Sequence, residues 1–347
     1  MNRIKFKELI LIVLVAGLFF VIGYMINQLN VYSYLKLKII SPQKKPNSYT
    51  YPTTLVDTTT DPNEISSFSL NDKALIGSDK PLKFLVAGHI YGNPNKEDLN
   101  LPATTFLTNV QLINQLNFDM VVLLGDIVKE PSEEKFDYFS NNFLNFMQVP
   151  VFNAVGNHDV GNRDLYINKF GGTTFSFIFK EHLFIFLDTN IEMFSLDDNQ
   201  LDYIQKEIIE AINDKKVKSI HLFAHHVFFF ENANNSPSPY HRTNDMYSVS
   251  NKVYEFVQDT LIPLSLQTPI IIYTGDVGAW CGNLSPYYKK YDGSNVTAIA
   301  TGIGNCEEDS VVIVEEINND ITLSVFSLIG KEMKAIEYYD DNYWKNH

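Results

Sequence analysis

From Leu82 onward the chain alternates between two textures. Short apolar runs, KFLVAGHIYGN, DMVVLLGDIV, VPVFNAVGNHD, HLFIFLDTN, IHLFAHHVFF and PIIIYTGDVG, each close on Gly, Asp, Asn or His. Between them lie stretches with helical spacing at Thr104–Leu116, Glu133–Met147 and Asn199–Asn213. In the last of these Leu201, Ile204, Ile208 and Ile212 share one face. Strand, helix, strand alternation predicts an α/β domain with helical crossovers. After Val296 the runs VTAIATGIG, SVVIVEEI and ITLSVFSLI come without long helices and predict a second sheet closing a sandwich. Polar residues that gather where buried strands end belong, in such folds, to a site at the carboxyl edge of the sheet.

The N-terminal third reads differently. Residues 9–26, LILIVLVAGLFFVIGYMI, carry no charge and follow Arg3, Lys5 and Lys7, the pattern of one transmembrane helix. A cleaved signal peptide is the alternative, but the run exceeds a usual signal core and no small-x-small site follows. Basic residues prefer the cytoplasmic side, so residues 1–8 are expected inside and the main domain on the extracytoplasmic side, although Lys36, Lys38, Lys44 and Lys45 weigh against that orientation. Residues 27–79, rich in Pro, Thr, Ser and Asn, read as a tether. The main domain is expected over residues 80–335, with a C-terminal tail at 336–347.

Composition limits the partners. The 347 residues are 45% hydrophobic and 20% charged, enough for a substantial core. Net charge is −14. Residues 1–45 contribute seven Lys or Arg and one Glu, or +6, which leaves −20 on the rest. So acidic a surface repels nucleic-acid polymers, whereas a small phosphate can be neutralised locally by a metal. The two cysteines, Cys281 and Cys306, lack C-x-x-C spacing and read equally as a disulfide or as two inert thiols.

The chemistry concentrates in a few strand-end strings. In GDIVK, Asp126 follows a glycine that permits a sharp turn, although a lone strand-end Asp is more often a cap. GNHD, about thirty residues later, is more specific. Asn157 offers an amide oxygen to a hard metal, His158 can donate a proton to a leaving oxygen, and Asp159 can orient the imidazole. In LFAHHVFF strand alternation sends His225 and His226 to opposite faces, so both cannot point at one metal without a bend. His221 is expected to be structural.

These strings, with FGGTTFSFIFKEHLFIFLDTN after them, resemble the calcineurin-like metallophosphoesterases over roughly residues 82–330. The resemblance implies a four-layer α/β/β/α sandwich of two mixed sheets flanked by helices. It also implies a bridging metal ligand at Asp126 and a second ligand at His225. The opening D-x-H and closing G-H-x-H motifs of the family are altered. GHIYGN puts His89 and Tyr91 at the first pair of positions, and GDVG puts Asp276 and Gly278 at the last.

Glycine offers no ligand and a neutral phenol is a poor one, so one of the two metal sites is expected to be lost or weak. Asp126, Asn157, His225 and Asp276 remain as a shell for one tightly held divalent ion, Mn, Zn, Fe or Mg, with His89 binding phosphate or a weak second ion. The expected function is a membrane-anchored phosphoesterase acting on a small phosphorylated substrate or a phosphorylated surface molecule. Metal-activated water attacks and His158 is the general acid. The alternative is a catalytically inactive binding or scaffolding module of the same fold.

Overall fold

The computed structural model describes residues 65–95, 102–192, 195–213, 217–230, 251–281 and 284–347. The expected membrane span at 9–26 lies outside them. Among the described residues no helix is long and apolar enough to cross a membrane. Twelve strands are described: β1 (Lys83–Ala87), β2 (Met120–Leu123), β3 (Val151–Asn153), β4 (Phe175–Phe179), β5 (His182–Phe186), β6 (Ser219–Ala224), β7 (Ile270–Thr274), β8 (Tyr287–Lys290), β9 (Val296–Ala300), β10 (Ser310–Ile317), β11 (Asp320–Ser327) and β12 (Met333–Ala335).

They form two six-stranded mixed sheets, ordered β12-β11-β10-β1-β2-β3 and β4-β5-β6-β7-β9-β8. In the first, β1, β2 and β3 run parallel and β10 joins β1 antiparallel. In the second, β5, β6, β7 and β9 run parallel. Period-two alternation sorts the side chains. Phe84 and Val86 of β1 meet Phe184, Phe186 and Phe223 between the sheets, while Leu85 and Ala87 face the helix-side core with Phe136 and Phe139. Ile220 and Leu222 of β6 face the other helix-side core, with Ile204 and Ile208. Helices therefore flank two sheets packed face to face, as the runs predict.

Four expectations change. The C-terminal strands do not build the second sheet alone: β9 joins β7, whereas β10 and β11 extend the first sheet from β1. The predicted helix Thr104–Leu116 is two pieces, Thr104–Leu107 and Val110–Gln115. Between them Asn109 donates its side-chain amide to Thr105 O and Leu328 O. The tether ends earlier than residue 79, because Ile65, Phe68, Leu70 and Leu75 are buried and Leu70 N donates to Val151 O at 2.8 Å, covering the β3 edge. Residues 336–347 are not a loose tail. Ile336 and Trp344 are buried, Trp344 Nε1 donates to Pro286 O, and Tyr287 Oη donates to Asp341.

Candidate metal centre

Each candidate ligand lies just past the carboxyl end of a parallel strand. His89 follows β1, Asp126 follows β2, Asn157 and His158 follow β3, His225 follows β6 and Asp276 follows β7. The first sheet thus supplies His89, Asp126 and the Asn157 turn, and the second supplies His225 and Asp276. His89, Asp126 and Asp276 all adopt left-handed backbone, with φ of 48°, 56° and 48°. That is an uncommon conformation for residues with a Cβ, and one that clusters at functional sites. The β2 and β3 turns nearly touch: a Cβ on Gly156 would overlap the Asp126 carboxylate, so only glycine fits there.

At the centre, His225 Nδ1 donates to Leu124 O at 2.7 Å. A carbonyl only accepts, so the proton is fixed on Nδ1 and the Nε2 lone pair faces the site. That Nε2 is fully buried without a hydrogen bond among the described residues, 3.5 Å from Asp126 Oδ1 and 3.7 Å from Asp276 Oδ1. Donors each about 2.1 Å from one ion stand about 3.0–3.4 Å apart, so His225 Nε2 lies a few tenths of an ångström beyond ligand spacing from each carboxylate, near enough to share a divalent cation with either. His89 Nε2 is 3.4 Å from Asp126 Oδ2, and its Nδ1 is buried without a partner. Burial, and then the neighbouring His225 and His158, hold His89 down at about 3, so it stays neutral and can ligate. Burial pushes Asp126 upward and Asp276 up to about 6, the signature of carboxylates short of a counter-charge.

His158 sits beside this cluster, its backbone N–H donating to Asp126 Oδ1 at 3.2 Å. Its orientation corrects the expectation for Asp159. His158 Nδ1 bonds Lys129 O at 2.6 Å and Nε2 lies 3.4 Å from Tyr91 Oη, so the imidazole is held by a carbonyl and not by Asp159. Asp159 is fully buried and accepts from Asp126 N at 2.9 Å, Ile127 N at 2.8 Å, Gly156 N at 2.9 Å and Asn153 Nδ2 at 3.3 Å. It ties the β2 and β3 turns together. Asn157 stands between Gly156 and His158 on the same turn, partly exposed.

Strand alternation does not separate His225 from His226, because β6 ends at Ala224. The rings are perpendicular with centroids 4.6 Å apart, and ligand atoms of His225, His226 and Asp276 lie within 4.8 Å of one another. His226 Nδ1 is 2.6 Å from Thr189 Oγ1. Lys129 carries no sequence signal for this role, since it holds His158 through its carbonyl. Asn153, which accepts from Gly125 N at 3.0 Å, has a faint one: a buried amide three residues before the GNHD turn.

The altered positions also have a structure. Tyr91 is buried, its ring 4.3 Å from the His89 ring, and burial raises its phenol pKa. Gly278 has φ of 77°, and a Cβ there would overlap Gly302 O. The main chain therefore closes over the place where a histidine side chain would begin.

A model of the calcineurin-like phosphoesterase family matches residues 100–259. That range contains Asp126, Asn157, His158 and His225 and omits the altered strings at 89–91 and 276–278. No curated protein sequence matches the chain significantly. Among solved structures, GAP50, the anchor in the inner membrane complex of Plasmodium, is similar at 13% identity and a TM-score of 0.51 over 74% of this chain and 89% of its own. The purple acid phosphatase PPD1 from yellow lupin (Lupinus luteus) seeds is similar at 12% identity and a TM-score of 0.51 over 75% of this chain and 53% of its own. Likeness at this identity speaks to fold alone, whereas the family match covers the strand-end residues Asp126, Asn157, His158 and His225. Residues 100–259 are thus a calcineurin-like phosphoesterase domain by the family they match.

Proposed function

We propose that the protein is a metal-dependent phosphoesterase acting on a small phosphorylated substrate or a phosphorylated surface molecule. In this reading it is anchored by residues 9–26, with the domain on the extracytoplasmic side. The observation that carries the catalytic reading is the buried, unpartnered Nε2 of His225 between two carboxylates. Asp126, His225 and Asp276, joined by Asn157, would hold one divalent ion of Mn, Zn, Fe or Mg, with His89 binding phosphate or a weak second ion. That ion would polarise a phosphoryl group and lower the pKa of water. Lys129 O fixes His158 so that its Nε2, when protonated, is the end that reaches a leaving oxygen. The Cys281–Cys306 disulfide fits an oxidising compartment and so supports export.

The competing reading is a binding or scaffolding module that keeps its ion and has lost turnover. The closed main chain at Gly278 and the phenol of Tyr91 favour it, because both remove ligands from a second ion. Hydrolysis of an aryl phosphate by the purified chain with Mn, Zn or Fe, alongside elemental analysis, separates the two. The phosphoesterase reading expects turnover with close to one ion per chain. It also expects His158→Ala to lower turnover by about a hundredfold or more with the ion retained. One ion with no hydrolysis across a broad phosphoester panel would leave the scaffold.

A further inference from the structure

The structure pairs Cys281 with Cys306, a bond to which the metal centre gives no chemical task. Its position is informative. Cys281 follows the Asp276–Gly278 turn of the second sheet. Cys306 lies in the loop between β9 and β10, and that loop is anchored to the first sheet. Asp309 accepts from Gly304 N at 2.8 Å and from Cys306 N at 3.1 Å, and Thr105 Oγ1 donates to the same carboxylate. Ile303 N donates to Gly88 O at 3.1 Å, beside His89, and Thr301 N donates to Thr274 O at 3.0 Å, beside Asp276. Gly302 lies so close to Val277 O that a Cβ would overlap it. The loop from Thr301 to Cys306 is thus wedged between two ligand-bearing turns, one from each sheet. The disulfide fastens the outer end of the wedge.

Because the candidate ligands are divided between the sheets, their spacing depends on what holds the two turns together. No hydrogen bond to the Asp276 carboxylate is found among the described residues, and its side chain is 22% exposed, so its place is set by its turn. We propose that Cys281 and Cys306 are positioning residues for the metal centre and that their bond is a reducible brace. Closed, it sets Asp276 against His225 and Asp126; open, it releases the Asp276 turn and weakens the ion. Cys281 is the more exposed residue of the pair.

A dithiol reductant opens the brace in two exchanges. Its thiolate attacks Cys281 Sγ and Cys306 leaves as thiolate, and the reductant's second thiol then resolves the mixed disulfide. Two electrons and two protons pass to the protein, giving two thiols, and the reductant ends as a disulfide.

The inference rests on the metal-centre part of the proposed function, and the test keeps the two apart. Mn2+ binding to the full chain is measured by calorimetry in three forms: oxidised, reduced with a phosphine that does not chelate, and Cys281→Ser/Cys306→Ser. Thermal unfolding of each is recorded alongside. The expected result is one Mn2+ on the oxidised chain and binding weakened about tenfold or more in both open forms, the usual effect of losing a residue that orients a ligand, with cooperative unfolding kept. Equal affinities in all three forms overturn the brace and leave the metal centre standing. No Mn2+ on the oxidised chain overturns both. Loss of cooperative unfolding in both open forms makes the bond a condition of folding, and the brace falls.

Discussion

Replacing Asp159 by Asn distinguishes two roles for that carboxylate. In the structure both its oxygens accept main-chain amides, Ile127 N on Oδ1 and Asp126 N and Gly156 N on Oδ2. The less costly orientation of Asn keeps its oxygen on the latter pair and turns an NH2 toward Ile127 N. One buried amide then loses its acceptor, at about 1–3 kcal/mol, and the two remaining bonds lose their charge assistance, at about 1 kcal/mol each. Burial and the Asp126 charge already push Asp159 upward, so removing its charge returns part of this. The net expectation is a loss of about 3 kcal/mol, or about 6 °C or more in Tm for a domain of this size. Thermal unfolding of the metal-free protein at neutral pH reads it, and a Mn2+ titration should show affinity falling about tenfold, because the Asp126 and Asn157 turns share this anchor. An unchanged Tm together with a large fall in turnover would refute the tie and restore Asp159 as the residue that orients His158.

Two further outcomes follow from the geometry. Gly278→His should lower stability by about 3 kcal/mol or more, since φ of 77° and the overlap with Gly302 O oppose any side chain, and even with Tyr91→His it should recruit no second ion. Two ions per chain with an unaltered Tm would contradict this. His182, buried and held down to about 4 mainly by burial, is neutral in the fold, so its stability contribution is complete above pH 6.5 and is lost as pH falls toward 4. Between pH 7 and 5 that loss is about 2 kcal/mol, and His182→Gln should flatten the acid limb of the denaturant stability curve by about that much; equal slopes would exclude it.

The sheets and the ring of candidate ligands were legible because both follow from local chemistry. Buried strands read as apolar runs, and residues that end such runs must leave the sheet at one edge. What stayed illegible depends on contacts between distant segments. The GNHD string suggests that Asp159 supports its neighbour His158, yet the turn aims that carboxylate at the amides of residues 126 and 127. The imidazole is steered by the carbonyl of Lys129, an atom every residue has. The strand assignment of β10 and β11 failed for a related reason. An apolar run states that it is buried, and only the pairing of Val312 with Val86 states in which sheet. Residues 65–75 look polar enough for a tether, and their four spaced apolar side chains are what the β3 edge requires.

The exchange of Asp and His between the opening and closing motifs keeps two carboxylates among the ligand positions, but it does not keep them in equivalent places. His89 is sealed and neutral, whereas Asp276 is partly exposed at the mouth of the centre. The negative charge has therefore moved from the first sheet to the second, onto a turn beside the disulfide-bonded loop. In metal-free protein, burial raises both Asp126 and Asp276, so the centre gains most from an ion placed between them and next to His225 Nε2. A second cation on the far side of Asp126 would meet neutral His89, the phenol of Tyr91 and the closed main chain at Gly278, none of which supplies a negative charge. Charge and shape thus favour the same single position, in keeping with the one-ion centre proposed above.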